Sequence, residues 1–344
     1  MRVFEGYQKG VNLGGWISQC VSYDKAHFDS FITEDDIKLI ASWGLDHVRV
    51  PVDYDIIMTD EDVFIEEGFT YIDRCIEWCK AAGLHMILDL HKSKGYMFDT
   101  GAVANPDLFF TEPALQDTFI HIWRELAGRY GKEHEMLALE LLNEIVNPAY
   151  GEKWNEIALR AIKAIREIAP DSYILVGGVN YNSVTRVPEI LMPVDDRIVY
   201  NFHCYEPLVF THQKAYWMSG MTEDFEMFYP ATIDEIRAAG ASLPTNALGA
   251  INESCLDNAG YNLFETLFAA AVKTAEERNV PLYCGEYGVI DRAPLKDTVE
   301  WFKAIHTVFE KHHIGRACWN YKQKDFGLVD AHYKEILDEL IKNL

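Results

Sequence analysis

The chain has 344 residues, 49% of them hydrophobic, and a formal net charge of −23 at pH 7. So acidic a surface argues against a nucleic-acid partner, because clustered basic residues supply most of the affinity for polyanions, and it suits a protein acting on a neutral substrate. No apolar stretch approaches the roughly 18 residues of a membrane helix, and the N-terminal MRVFEGYQKGVNL lacks the apolar centre of a secretory signal.

The expected location is therefore the cytoplasm, or the cell exterior with a signal already removed. The seven cysteines (20, 75, 79, 204, 255, 284 and 318) are odd in number and scattered, and none form a CxxC pair. Free thiols and packing are expected of them, including Cys75 and Cys79, one helical turn apart.

Taken in order, the chain alternates short apolar strands with amphipathic helices. GVNLGG at 10–15 reads as a first strand ending in glycines. Thr33-Glu34-Asp35-Asp36 marks a helix start, with Gly44 as its stop. HVRVPV at 47–52 is the second strand, 70–83 a helix closed by glycine, and MILDL at 86–90 the third strand. A helix over about 112–129 precedes LALELLNEIVNP at 137–148, an apolar run broken by Asn143 and Glu144. After a helix over 153–168 come strands at 173–178 and 198–203. Residues 207–260 then break the rhythm, and a connection this long inside a βα pattern predicts an inserted subdomain or lid. A helix at 261–278, a strand at 281–286, a helix at 295–312, a strand at 316–320 and a closing helix at 334–343 complete the pass.

Eight strands in this order predict one (β/α)8 TIM barrel spanning 1–344, with the 207–260 stretch inserted after strand six. Such barrels carry their chemistry at the C-terminal strand ends. Those ends hold Arg49, His91, Asn143 with Glu144, His203 with Tyr205, Glu286 and Trp319. Glu144 ends strand four and Glu286 ends strand seven, so the two carboxyls can face each other across the mouth. Opposed carboxyls are what glycoside hydrolysis requires: one protonates the leaving oxygen while the other attacks the anomeric carbon or activates water. Arg49 and Tyr205 can both donate hydrogen bonds, and a cation beside a carboxylate keeps it ionised. Glu286 is accordingly the expected nucleophile and Glu144, near His203 and Asn143, the expected acid/base.

The segments GVNLGGW, HVRVPVDY, LDLH, ELLNE, YNFHCYEP, YCGEYGV and ACWNY resemble, in order and nearly end to end, those of glycoside hydrolase family 5. The stretch from Phe210 to Trp217 is similar to one in its clostridial C-type endoglucanases. The resemblance implies a retaining β-glucanase, most simply an endo-β-1,4-glucanase. It matches Glu144 to the acid/base, Glu286 to the nucleophile and Asn143 to the residue that binds the sugar 2-hydroxyl. It also matches Arg49, His91, His203 and Tyr205 to the catalytic centre and Trp319 to an aromatic floor beneath the −1 sugar. Two departures stand out. Ile145 replaces the proline that usually follows the acid/base, and His91 is followed by Lys92-Ser93-Lys94-Gly95. The opening GVNLGGW is also similar to that of fungal exo-β-1,3-glucanases of the family, which makes an exo-acting or β-1,3-specific enzyme the alternative. A catalytically silent carbohydrate-binding barrel would need a lost carboxylate, and neither is lost.

Other residues have weaker claims. Glu140 shares the parity of Glu144 and is expected to pair inside the barrel, with Arg49 as its partner. Asp89 is expected to pack against a helix on the face opposite His91, and Glu206 to line the cleft or sit at its rim. His212 and Trp217 are candidates for a subsite wall, and Trp16 for the core. His27 and the His312-His313 pair lack ligand context, and no metal-ligand spacing occurs, so neither metal nor cofactor is expected. The expected state is a monomer, with a β-linked glucan or oligosaccharide as its one partner.

Overall fold

The computed structural model describes residues 1–99, 101, 105–253 and 261–344. Eight strands form a closed parallel barrel: β1 (Lys9–Asn12), β2 (His47–Asp53), β3 (His85–Ser93), β4 (Leu137–Glu140), β5 (Ile174–Gly177), β6 (Ile198–Cys204), β7 (Leu282–Tyr287) and β8 (Gly315–Cys318). Each pairs with its neighbours in chain order, and β1 closes the ring on β8, with Val11 opposite both Val48 and Cys318. The strands are buried almost throughout, because helices cover the outer face while side chains fill the inside. A two-residue strand, Tyr96–Met97, folds back antiparallel on the end of β3.

The interior is layered. At the N-terminal end, Ile87, Ala138, Leu175, Val199, Tyr283 and Ala317 meet, plugged by Phe4 and Tyr7. Two residues further along five of these strands, on the same inward face, stand Asp89, Glu140, Gly177, Asn201 and Gly285, and Trp319 follows on the sixth. Apolar packing thus gives way to a polar layer one step below the mouth.

Around the barrel lie helices α1 (Glu34–Ser42), α2 (Glu66–Ala82), α3 (Pro113–Tyr130), α4 (Gly151–Arg166), α5 (Ile233–Gly240), α6 (Tyr261–Glu277), α7 (Leu295–His312) and α8 (Leu337–Ile341). Their ends follow the sequence signals. Thr33 caps α1 in a reciprocal capping box with Asp36, and Gly83 ends α2 at φ 73°. On α4, Trp154, Ile157, Ala158, Ala161, Ile162 and Ile165 form the buried stripe.

Three features differ from the sequence reading. Ordered pairing of β4 stops at Glu140, although the apolar run continues; Leu141 and Leu142 stay buried, and Leu141 N–H still donates to the Leu175 carbonyl at 3.2 Å. The β5–β6 connection carries no long helix. It consists of a left-handed turn at Asn180, Tyr181 and Asn182, then a 3₁₀ segment, Val184–Glu189, containing Pro188. The closing helix is shorter than expected. After β6 come a helical turn (Leu208–Thr211), α5 and a 3₁₀ stretch (Thr245–Glu253). The last part of the predicted insertion, 254–260 with Cys255, lies outside the described residues, and the six described cysteines are free. No helix among the described residues is long and apolar enough to cross a membrane.

Candidate active site

Arg49 anchors the mouth from below. It is not at a strand end, as expected, but third of the seven residues of β2, and its side chain is fully buried. All five of its N–H groups are used. Nε and Nη2 donate to Glu140 at 2.7 and 2.8 Å, Nη1 to Asn12 at 2.9 Å and Glu286 at 2.8 Å, and Nη2 also to Asn143 at 2.9 Å. A buried guanidinium is tolerable only with such pairing. The Glu140 partner is the one the sequence suggested.

Asp89 corrects the sequence reading. It lies 3.0 Å from Arg49 Nη2 and 2.6 Å from His91 Nδ1, both inside the barrel. The reason is strand periodicity, since residues two apart share a face. Burial pushes its carboxyl up to about 7 against the pull of Arg49. With Nδ1 bonded to Asp89, His91 turns Nε2 to the Gln19 side-chain amide at 2.8 Å. Burial drives the His91 imidazole down to about 4, so it is neutral. Its ring stacks on Trp319, with centroids 6.0 Å apart. Gly14, after β1, leaves room for the indole: a Cβ there would stand 2.4 Å from Trp319 Cη2.

Glu286 is held at both oxygens. Oε1 accepts from Arg49 at 2.8 Å and Oε2 from the Tyr205 hydroxyl at 3.0 Å. Glu144 has different company. Its Oε1 is 2.7 Å from His203 Nδ1, and its backbone sits in the left-handed region at φ 38°. Its carbonyl accepts from the Tyr96 hydroxyl at 2.8 Å, and that hydroxyl accepts from Val146 N–H at 2.8 Å, clamping the bend. Carboxyl oxygens of Glu144 and Glu286 and a ring nitrogen of His203 all lie within 4.8 Å of one another. Burial raises both carboxyls. For Glu144 the charge of Glu286 adds to burial and carries it well above the usual range, whereas Arg49, His91 and Tyr205 restrain the rise at Glu286. Burial and the Arg49 charge push His203 well down, so it too is neutral.

Among the described residues, Glu144, His203 and Glu286 are the one group with metal-ligand geometry. Arg49 already places a cation against Glu286, and a metal ion there would meet that charge at short range.

The remaining predicted residues spread outward. His212 is partly buried, edge-on to Tyr205 with centroids 5.0 Å apart, and Trp217 lies beyond it at 6.2 Å, 45% exposed. Glu206 is neither a cleft nor a rim residue. It is buried, and its Oε1 accepts from Ala250 N–H at 2.9 Å, because the chain after β6 folds over it. Trp16 is core, as expected. Lys92 pairs with Asp55 at 2.6 Å beside a cavity of about 390 Å³ lined also by Gln19, Cys20, Phe98 and Lys324. Ile145 is buried and bridges to Val179, tying the segment after Glu144 to the β5–β6 connection. Sequence reasoning missed Asn12, Gln19, Tyr96, Asn182 and Asn201. Asn201 alone carried a signal, standing two before His203 on the inward face, where its amide donates to Glu140 at 2.7 Å.

A parallel barrel whose mouth sets two carboxyls this close, one beside a cation and one beside a neutral histidine, has the form of a glycoside hydrolase. Comparison with known proteins agrees: residues 6–325 match the family model described as cellulase (glycosyl hydrolase family 5). The chain belongs to that family. It is 41% identical over 342 residues to endoglucanase C of Acetivibrio thermocellus, covering 98% of each chain. It is 42% identical over 313 residues to cellodextrinase A of Ruminococcus flavefaciens, covering 91% of this chain and 85% of that one. Among solved structures it is similar to the clostridial cellulose synthase subunit Z of Clostridioides difficile, with a TM-score of 0.77 and 25% identity over 97% of this chain and 99% of that one.

Proposed function

We propose that the protein cleaves β-1,4-glucosidic bonds within β-glucan chains with retention of configuration, Glu286 acting as nucleophile and Glu144 as acid/base. The observation that carries this reading is the spacing of the two carboxyls, with oxygens within 4.8 Å. Retaining enzymes hold their carboxyls about 5–5.5 Å apart, and inverting ones leave room for a water at about 6.5–9.5 Å.

In the first step the Glu286 oxygen attacks the anomeric carbon as the glycosidic bond breaks. Glu144 gives its proton to the departing oxygen. In the second, Glu144 takes a proton from water, whose oxygen displaces Glu286. Arg49 and Tyr205 keep Glu286 ionised and aimed, and both let go of negative charge as the ester forms. Trp319 offers a face on which the −1 sugar can lie, and the neutral His91 and Asn143 offer polar groups to its hydroxyls. His212 and Trp217 extend an aromatic wall from Tyr205, which suits a chain running on past the cleavage point. The names endoglucanase and cellodextrinase among the relatives support β-1,4-linked glucose as the substrate.

One experiment with two arms tests this. The intact protein should release a ladder of short products from β-1,4-glucan while leaving β-1,3-glucan untouched. Glu286→Gly should be inactive, and azide should restore turnover as a glycosyl azide of inverted configuration. Single-sugar release from chain ends overturns the endo reading, and hydrolysis by Glu286→Gly without azide overturns the nucleophile.

A further inference from the structure

The left-handed turn after β5 performs no step of the reaction, yet it is built at a cost. Asn180, Tyr181 and Asn182 take φ of 57°, 58° and 52° in succession, a region that L-residues visit singly and seldom in runs. The turn is pinned on both sides of the acid/base. Tyr181 N–H donates to the Ile145 carbonyl at 3.1 Å, and Ser183 bridges to His203. Its effect is to drive the Asn182 side chain inward until it is fully buried, with Nδ2 3.4 Å from His203 Nε2. Room for it exists because residue 177 is glycine; a Cβ there would sit 2.3 Å from Asn182 Oδ1. That Oδ1 has no hydrogen-bond partner among the described residues, so His203 is the one polar group the amide serves.

We propose that Asn182 is a positioning residue that locks His203 in the tautomer protonated at Nδ1, and so fixes which oxygen of Glu144 carries the transferable proton. This rests on the reading of Glu144 as the acid/base. An amide N–H can only donate, so Nε2 must accept and the ring proton must sit on Nδ1. Nδ1–H then donates to Glu144 Oε1 at 2.7 Å. Oε1 is an acceptor whether Glu144 is ionised or not, and the mobile proton is confined to Oε2. In the first step Oε2–H passes its proton to the leaving oxygen; in the second Oε2 takes one from water. The His203 proton never leaves its ring. The opposite tautomer would accept the Glu144 proton at Nδ1 and withhold it from the substrate. Besides His203, the charged and titratable groups facing Glu144 include Glu286, Arg49, Asp89 and Glu140 from four strands, Tyr205 after β6, Tyr96 beyond β3 and Tyr181 of the turn itself.

The test is nitrogen-15 NMR of the histidine rings in the full chain, read beside kinetics. The wild type should show His203 as one neutral tautomer protonated at Nδ1. Asn182→Asp keeps the shape but presents an acceptor, and should protonate Nε2. Asn182→Gly keeps the backbone and should give mixed tautomers. Both variants should lose on the order of tenfold or more in kcat on cello-oligosaccharides, within what general acid catalysis supplies. Both should keep the wild-type glycosylation rate on dinitrophenyl β-cellobioside, which needs no acid. An Nε2-protonated wild type overturns the proposal, as does an Asn182→Asp variant with wild-type tautomer and pH profile. Loss of the Glu144 role would appear separately: Glu144→Ala would hydrolyse oligosaccharides normally while the tautomer result stood.

Discussion

Glu144 and Glu286 are the same residue type at equivalent depths, and their neighbours alone separate them. Glu286 receives hydrogen bonds from Arg49 and Tyr205 that stabilise its anion, while Glu144 has a neutral imidazole and the repulsion of Glu286. The sign of the pH dependence follows. The proposed roles need Glu286 without a proton and Glu144 with one, so kcat/KM should fall toward acid as Glu286 is protonated and toward alkali as Glu144 is ionised. Because Glu144 is raised well above the ordinary carboxyl range, it still holds its proton where an exposed glutamate has lost it, and the alkaline limb is displaced upward. In single-turnover measurements on cello-oligosaccharides, which need the acid, the wild type should show both limbs, whereas Glu144→Ala should retain the acid limb and lose the alkaline one. An alkaline limb that survives the substitution would belong to another group and would remove Glu144 from the acid role. The two flanking histidines titrate below this window, His91 at about 4, and so do not generate that limb.

At the scale of elements, the strand ends do the positioning, and one glycine tests how tightly. Gly14 follows β1, and the Trp319 ring after β8 packs on it where a side chain would be. Gly14→Ala should push the indole out of its plane over the −1 position. The expected cost is about 1–3 kcal/mol of stability from overpacking, read by denaturant unfolding, with a several-fold drop in kcat/KM on aryl cellobiosides. A variant with wild-type stability and kinetics would show that the ring is free to yield. Such contacts explain what was legible beforehand. Strands, capped helices and the ionisable residues at strand ends show in local pattern, because burial and capping act over a few residues, as at Thr33 and Asp36. Glu140 could be paired with Arg49 because both sit at inward positions. Asn12, Gln19 and Asn182 could not be found, since each acts on a residue distant in sequence. Asn12, for example, donates to Gly285, 273 positions away. Asp89 was misread through strand parity, and the β5–β6 turn was not foreseen, because nothing in VNYN announces three left-handed residues together.

At the scale of the whole molecule, a net charge of −23 surrounds a cleft built for an uncharged polymer. The buried charges at the centre pair with one another: Arg49 lies against Glu140, Asp89 and Glu286. What approaching substrate meets from afar is therefore the negative field of the acidic surface. For a neutral glucan that field does no work, so kcat/KM on cello-oligosaccharides should be flat with added salt. For carboxymethylcellulose the same field repels each segment. Its range shrinks from about 30 Å at 0.01 M ionic strength to about 10 Å at 0.1 M, so screening should raise kcat/KM on that substrate severalfold over this interval. Initial rates on the two substrates, measured in parallel from 0.01 to 0.1 M salt (about 30 to 10 Å of screening length), separate the explanations. If both rates rise together, salt acts on the fold or on the Arg49 cluster. If neither rises, the cleft is shielded from the field of the surface.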